Sequence, residues 1–179
     1  MARGDGESGA VTRLLGVDLG ARRIGLAIGD DASGLARGLG VLRRGTLDHD
    51  AAALGRLARE RSVEVLVVGL PRNTDGTEGP QAVLTRAWGE AIAARLQLAL
   101  SWRDERWTSQ DAEAGLGRPR RGRAGGPPSR AALGRRRAAV DREAARLILQ
   151  AELQAREEAE ARQTSTATVD RPGPAGGPG

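Results

Sequence analysis

Asp18, the adjacent pair Asp104 and Glu105, and Asp141 are the acids whose surroundings suit joint chemistry. Asp18 stands at the end of the apolar run 14–19, between Gly16 and Gly20, where a carboxylate is costly unless its charge is compensated. Asp104 and Glu105 close a second apolar stretch, 98–103. Asp141 shares one helical face with Ala144, Ala145 and Ile148, at i, i+3, i+4 and i+7. Gathered at one spot, three such carboxylates repel and raise one another's pKa, and a divalent cation removes that repulsion. Mg²⁺ or Mn²⁺ prefers carboxylate and water oxygens, and a site of that kind polarises a phosphodiester while activating the attacking water. Asp18 taken alone equally suits a turn cap. Of the 104–105 pair, either acid can face a metal while the other pairs with a nearby arginine.

Composition narrows the chemistry. There is no Cys, so disulfides, thiolate nucleophiles and cysteine metal sites are excluded, and the single His49 cannot build a zinc site. His49 is expected as a solvated residue at a helix start. Every basic residue is Arg, which excludes a Schiff base and a Gly-Lys-Ser/Thr phosphate loop. Trp88, Trp102 and Trp107 are the whole aromatic complement, too few for base-stacking platforms. No apolar stretch is long enough for a membrane span or a secretory signal, so a cytoplasmic location is expected.

The elements that must position the acids follow from periodicity. Runs 14–19 and 24–30, joined by Ala21, Arg22 and Arg23, predict a β-hairpin with Asp18 at its mouth. A third, edge strand is expected over 38–43, and a helix over 51–61. The β-branched run 63–70 predicts a strand covered on both faces at the sheet's centre. After it, the loop 71–81, with Asn73 and Asp75, leaves a strand's carboxyl end, where open α/β sheets bind ligands, and leads into a helix ending near Leu96. Strand 98–103 then delivers Asp104, Glu105 and Arg106, and Thr108 with Asp111 resembles a capping box.

Between Ala114 and Val140 there is no acid, and the eight arginines from Arg118 to Arg137 exceed the chain's net charge of +5. The Gly/Pro-rich part of this segment, 115–134, is expected to be flexible, and its charge suits nucleic-acid phosphates. A last helix is expected over 136–156. The expected organisation is a disordered lead (1–12), one domain (13–156) and a disordered tail (157–179).

Four motifs, in order, resemble the YqgF/RuvX family of pre-16S rRNA nucleases, also described as Holliday-junction-resolvase-like. They are Gly16-Val17-Asp18-Leu19-Gly20 with 23–27; Val68-Gly69-Leu70-Pro71 with Asn73 and 75–81; Asp104-Glu105-Arg106 with Thr108-Ser109; and Val140-Asp141 with Ala144-Ala145 and 147–150. The resemblance implies an RNase H-like α/β fold, a mixed five-stranded sheet flanked by helices. It further implies a bacterial cytoplasmic nuclease maturing the 5′ end of small-subunit ribosomal RNA with Mg²⁺ or Mn²⁺, acting as monomer or homodimer. Asp18, Glu105 and Asp141 are then its catalytic metal ligands, and Arg22, Arg23, Asn73, Asp75 and Arg106 its substrate contacts. Structured RNA, pre-16S rRNA in particular, is the expected partner, with branched DNA as the alternative. Two other classes stay in view: a non-catalytic RNA-binding ribosome-assembly factor, and an ATPase of the actin or sugar-kinase type, which needs a second lobe that 179 residues do not supply.

Overall fold

Alternating apolar residues make the sheet two-faced, and each face finds its own helices. The structure, a computed structural model, describes residues 11–73, 75–104 and 129–169. Its elements are β1 (Arg13–Leu19), β2 (Arg23–Asp30), β3 (Leu35–Arg43), α1 (Leu47–Arg61), β4 (Val65–Leu70), α2 (Pro80–Leu96), β5 (Ala99–Asp104) and α3 (Arg130–Val169). The strand order is β3-β2-β1-β4-β5; β1, β2 and β3 are antiparallel neighbours, while β4 and β5 run parallel to β1. This is the expected mixed five-stranded α/β sheet flanked by helices. One detail is corrected: β1, not the 63–70 run, is the central strand. Every residue of β4 is nonetheless buried, because a strand beside the centre is covered on both faces too.

Leu15, Val17 and Leu19 of β1 join Ile24, Ile28, Leu66 and Val68 against Leu54, Trp88 and Ile92 of α1 and α2. The other face places Leu14, Ala27, Val65 and Val67 against Ala145, Ile148, Leu149 and Leu153 of α3. Here α3 lies almost on the strand backbones. A Cβ at Gly16 would stand 2.6 Å from the Leu149 Cβ, and one at Gly25 would collide with the Asp141 carbonyl oxygen. Two glycines thus set how closely the helix carrying Asp141 approaches the hairpin carrying Asp18.

Helix α1 starts at Leu47, ahead of the expected 51, because Thr46 caps it: its hydroxyl accepts from the His49 amide at 3.2 Å. His49 itself is exposed, as expected. Asp50 is fully buried and accepts from the Gly45 amide (2.9 Å) and the Trp88 indole (3.3 Å), tying α1 to α2. Among the described residues, the Thr85 hydroxyl is the buried side-chain polar atom without a partner. Thr85→Val keeps its shape and removes that burden, so the melting midpoint should rise, with a gain of up to about 1 kcal/mol in chemical denaturation.

The final helix is longer than expected at both ends. Arg130 to Gly134, read as part of a flexible segment, are helical, with the Ser129 hydroxyl accepting from the Ala132 amide at 3.2 Å. Past Arg156 the helix continues to Val169, into the stretch read as a disordered tail. The physical reason is composition: 157–163 is built of Glu, Ala, Arg and Gln, strong helix formers, with no Gly or Pro before Pro172. The remainder of the basic segment and the capping box expected at Thr108 and Asp111 lie outside the described residues. No helix among the described residues is long and apolar enough to cross a membrane.

Candidate active site at the carboxyl edge of the sheet

Asp18 is the penultimate residue of β1, half-buried, and its partner across the hairpin is Gly25. Because Leu14 and Gly16 face α3, pleat alternation turns Asp18 to the same side. Asp141 comes to that side from α3, its carbonyl lying over Gly25. The hairpin, the missing Cβ and the helical period thus bring these two acids to one edge, as joint chemistry requires.

The turn between them is held firmly. The Gly20 amide donates to the Arg23 carbonyl at 2.9 Å, and the Arg44 guanidinium donates to the Gly20 carbonyl at 3.2 Å. Beside it a cleft of about 410 Å³ is lined by Gly20, Ala21, Arg22, Arg23, Arg137 and Asp141. Three guanidiniums and one carboxylate make it a place for anions. Arg22 is exposed there, as a phosphate contact needs. Arg23, expected in the same role, is instead engaged within the protein, because its Nε donates to the Asp141 carboxylate.

Asn73 and Asp75, expected to touch substrate, hold their own loop. The Asn73 amide donates to the Thr77 hydroxyl at 2.8 Å, and the Asp75 carboxylate accepts from that hydroxyl (2.6 Å) and from the Thr77 amide (2.9 Å). These bonds, the hydroxyl's first, hold the Asp75 carboxyl below its ordinary range. Glu78, at the loop's end, pairs with Arg86 at 2.5 Å and is likewise held low by that bond. Arg86 in turn lies 5.1 Å from the ring centre of Trp102 on β5, linking the loop to the neighbouring strand.

Asp104 is the exposed last residue of β5, beside Leu70 of β4. Trp102, two residues earlier, packs with the α1 and α2 side, whereas Ser101 and Arg103 reach Glu152 on α3, so alternation gives Asp104 the face opposite Asp18. Glu105 and Arg106 lie outside the described residues. Glu152 itself escaped notice in the sequence. It is only 3 % exposed, accepts from Ser101 at 3.0 Å, and pairs with Arg103 and with Arg156 at 2.7 Å. Its signal was present in the helical period, since it follows Ile148 by four residues and Ala145 by seven.

Asp18 and Asp141 are hard oxygen donors on one face, the type of donor Mg²⁺ and Mn²⁺ select. Among the described residues no group of three or more acids or histidines converges, so two carboxylates are the donor set these residues supply. Two are compatible with Mg²⁺, which keeps several waters and needs only one or two carboxylates.

A family model described as RuvX, Holliday junction resolvase, matches residues 12–155. A relative from Anaeromyxobacter dehalogenans (strain 2CP-1), named "Putative pre-16S rRNA nuclease", is 44% identical over 138 residues, covering 77% of this chain and 93% of its own. One of the same name from Moorella thermoacetica is 44% identical over 114 residues, covering 61% of this chain and 81% of its own. A solved structure of Thermus thermophilus RuvC is similar at 12% identity and a TM-score of 0.47, over 82% of this chain and 97% of that one. With the four motifs in order, the two-faced sheet and a family match spanning every element from β1 into α3, the chain belongs to the RuvX family.

Proposed function

We propose that this chain is a divalent-metal-dependent nuclease that hydrolyses phosphodiester bonds of pre-16S rRNA, maturing the 5′ end of small-subunit ribosomal RNA in the cytoplasm. The observation that carries this reading is the approach of Asp141 to Asp18 across Gly25, beside a cleft lined by three arginines. The name shared by the relatives supports the substrate. Asp18 and Asp141 would hold Mg²⁺ or Mn²⁺ with Glu105 as the third carboxylate, because alternation along β5 turns Asp104 to the opposite face. Bound there, the cation supplies Lewis-acid polarisation and an activated water.

The protein's own groups do the rest. Arg22, carried on the pinned Gly20–Arg23 turn, and Arg137, from α3, bind backbone phosphates in the cleft. Arg106 would add a further phosphate contact from the end of strand 98–103. Asn73 and Asp75 act by shaping the loop beside the site. Such contacts read backbone, not bases, so selection of the cleavage position rests on RNA shape.

The test is cleavage of a 5′-extended precursor RNA with Mg²⁺ or Mn²⁺. Asp18→Asn, which removes the charge and keeps the shape, should slow it by about 100-fold or more. Equal rates in the two proteins, or cleavage by neither under any divalent cation, would overturn the assignment. The family's description also names a Holliday junction resolvase, so a four-way DNA junction belongs in the same assay as the second substrate.

A further inference from the structure

Arg23 stands at the first position of β2, about a third of its side chain exposed, and its guanidinium donates to Asp141, whose carboxylate is the more buried partner. The two ends of this pair differ in freedom. Asp141 rides on α3, which its buried Ala145, Ile148 and Leu149 hold against the sheet, so its main chain is fixed over Gly25. Arg23 is a long side chain at the mouth of a cleft that also holds Arg22 and Arg137. If the pair opens, Arg23 moves and Asp141 stays.

A cation and a guanidinium compete for the same carboxylate charge. Resting on the metal reading of the site, we propose that Arg23 is a charge gate: it neutralises Asp141 until a divalent cation takes that carboxylate, and then turns to a nucleic-acid phosphate in the same cleft. Metal and polyanion binding are thereby coupled through one side chain, and the coupling acts in both directions. The cleft itself suits the second position, since a guanidinium released from Asp141 finds phosphate-binding neighbours on either side. Arg23 is a positioning residue in this account, acting through Asp141 before it meets substrate.

The full chain is titrated with Mn²⁺ alone by calorimetry, with far-ultraviolet circular dichroism confirming the fold of each variant. Arg23→Gln should bind Mn²⁺ on the order of tenfold more tightly than the wild type, because a charge-assisted bond no longer has to be broken. Arg22→Gln removes an equal charge from the same cleft without touching Asp141 and should gain far less. Equal gains in the two variants, or none in Arg23→Gln, overturn the gate while leaving the metal site intact. No Mn²⁺ binding by wild type or Arg23→Gln at millimolar concentration overturns the metal reading, and the gate with it. A second measurement needs no metal. In EDTA, Asp141→Asn should tighten binding of a short RNA duplex by freeing Arg23, and that gain should shrink in the Arg23→Gln background. Additive effects in this cycle count against the gate.

Discussion

Gly25→Ala is expected to destabilise the protein by about 3 kcal/mol, the upper end of the cost of overpacking. The added Cβ meets the backbone carbonyl of Asp141, not the tip of a flexible side chain, so relief requires moving α3 as a body. That helix also buries Ala145, Ile148 and Leu149 on the same face, and any outward shift exposes them. Function should suffer beyond stability, because the displacement carries Asp141 away from Asp18 and Arg23. Calorimetric Mn²⁺ binding should therefore weaken even at temperatures where the variant is fully folded. Gly40→Ala is the matched control: its Cβ has nothing within 4 Å, and its change should stay within about 0.5 kcal/mol. Urea unfolding of both variants, with unchanged m-values, checks the difference. A Gly25→Ala protein as stable as the control would mean that α3 does not approach the hairpin in this way.

That one glycine shows where sequence reading succeeds and stops. The hairpin with Asp18 at its mouth was legible because a strand's apolar run and its glycine punctuation are local signals. Asp141 on the packed face of its helix was legible for the same reason, from alanine spacing. What Gly25 is for was not, since its reason lies in a helix that follows it by more than a hundred residues. The same separation, 118 residues, hid the attachment of Arg23 to Asp141, so an arginine in a turn read as a free phosphate ligand. Asn73 and Asp75 differ again: a polar loop at a strand's carboxyl end suggests ligand contacts, and the bonds to Thr77 that brace the loop were not legible beside that signal. Strand order was ambiguous because β-branched continuity reports covered faces, which β1 and β4 share.

Glu152→Gln should cost about 3 kcal/mol at neutral pH, since it breaks a buried charge network and leaves two guanidiniums half-served. Burial pushes the Glu152 carboxyl up, but bonds from Arg156, Arg103 and Ser101 and the charge of Arg103 outweigh it and hold the group below its ordinary 4.5. The direction of the pH dependence follows. Because the unfolded chain takes up this proton at a higher pH than the folded one, the stability Glu152 contributes is fully present above about 4.5 and is lost as pH falls through the lower folded value. The gap between wild type and Glu152→Gln should accordingly be widest at pH 7 and close on acidification, as read by urea midpoints at a series of pH values. A gap that stays constant from neutral to strongly acid conditions would show that the carboxylate's charge is not what Arg103 and Arg156 respond to. The position gives this network a role beyond stability. Arg103 immediately precedes Asp104, so the Glu152 clamp fixes the end of β5 against α3, on the face to which Asp18 and Asp141 also turn. Loss of the clamp should therefore reach cleavage as well as folding, through the end of the strand that leads on to Glu105.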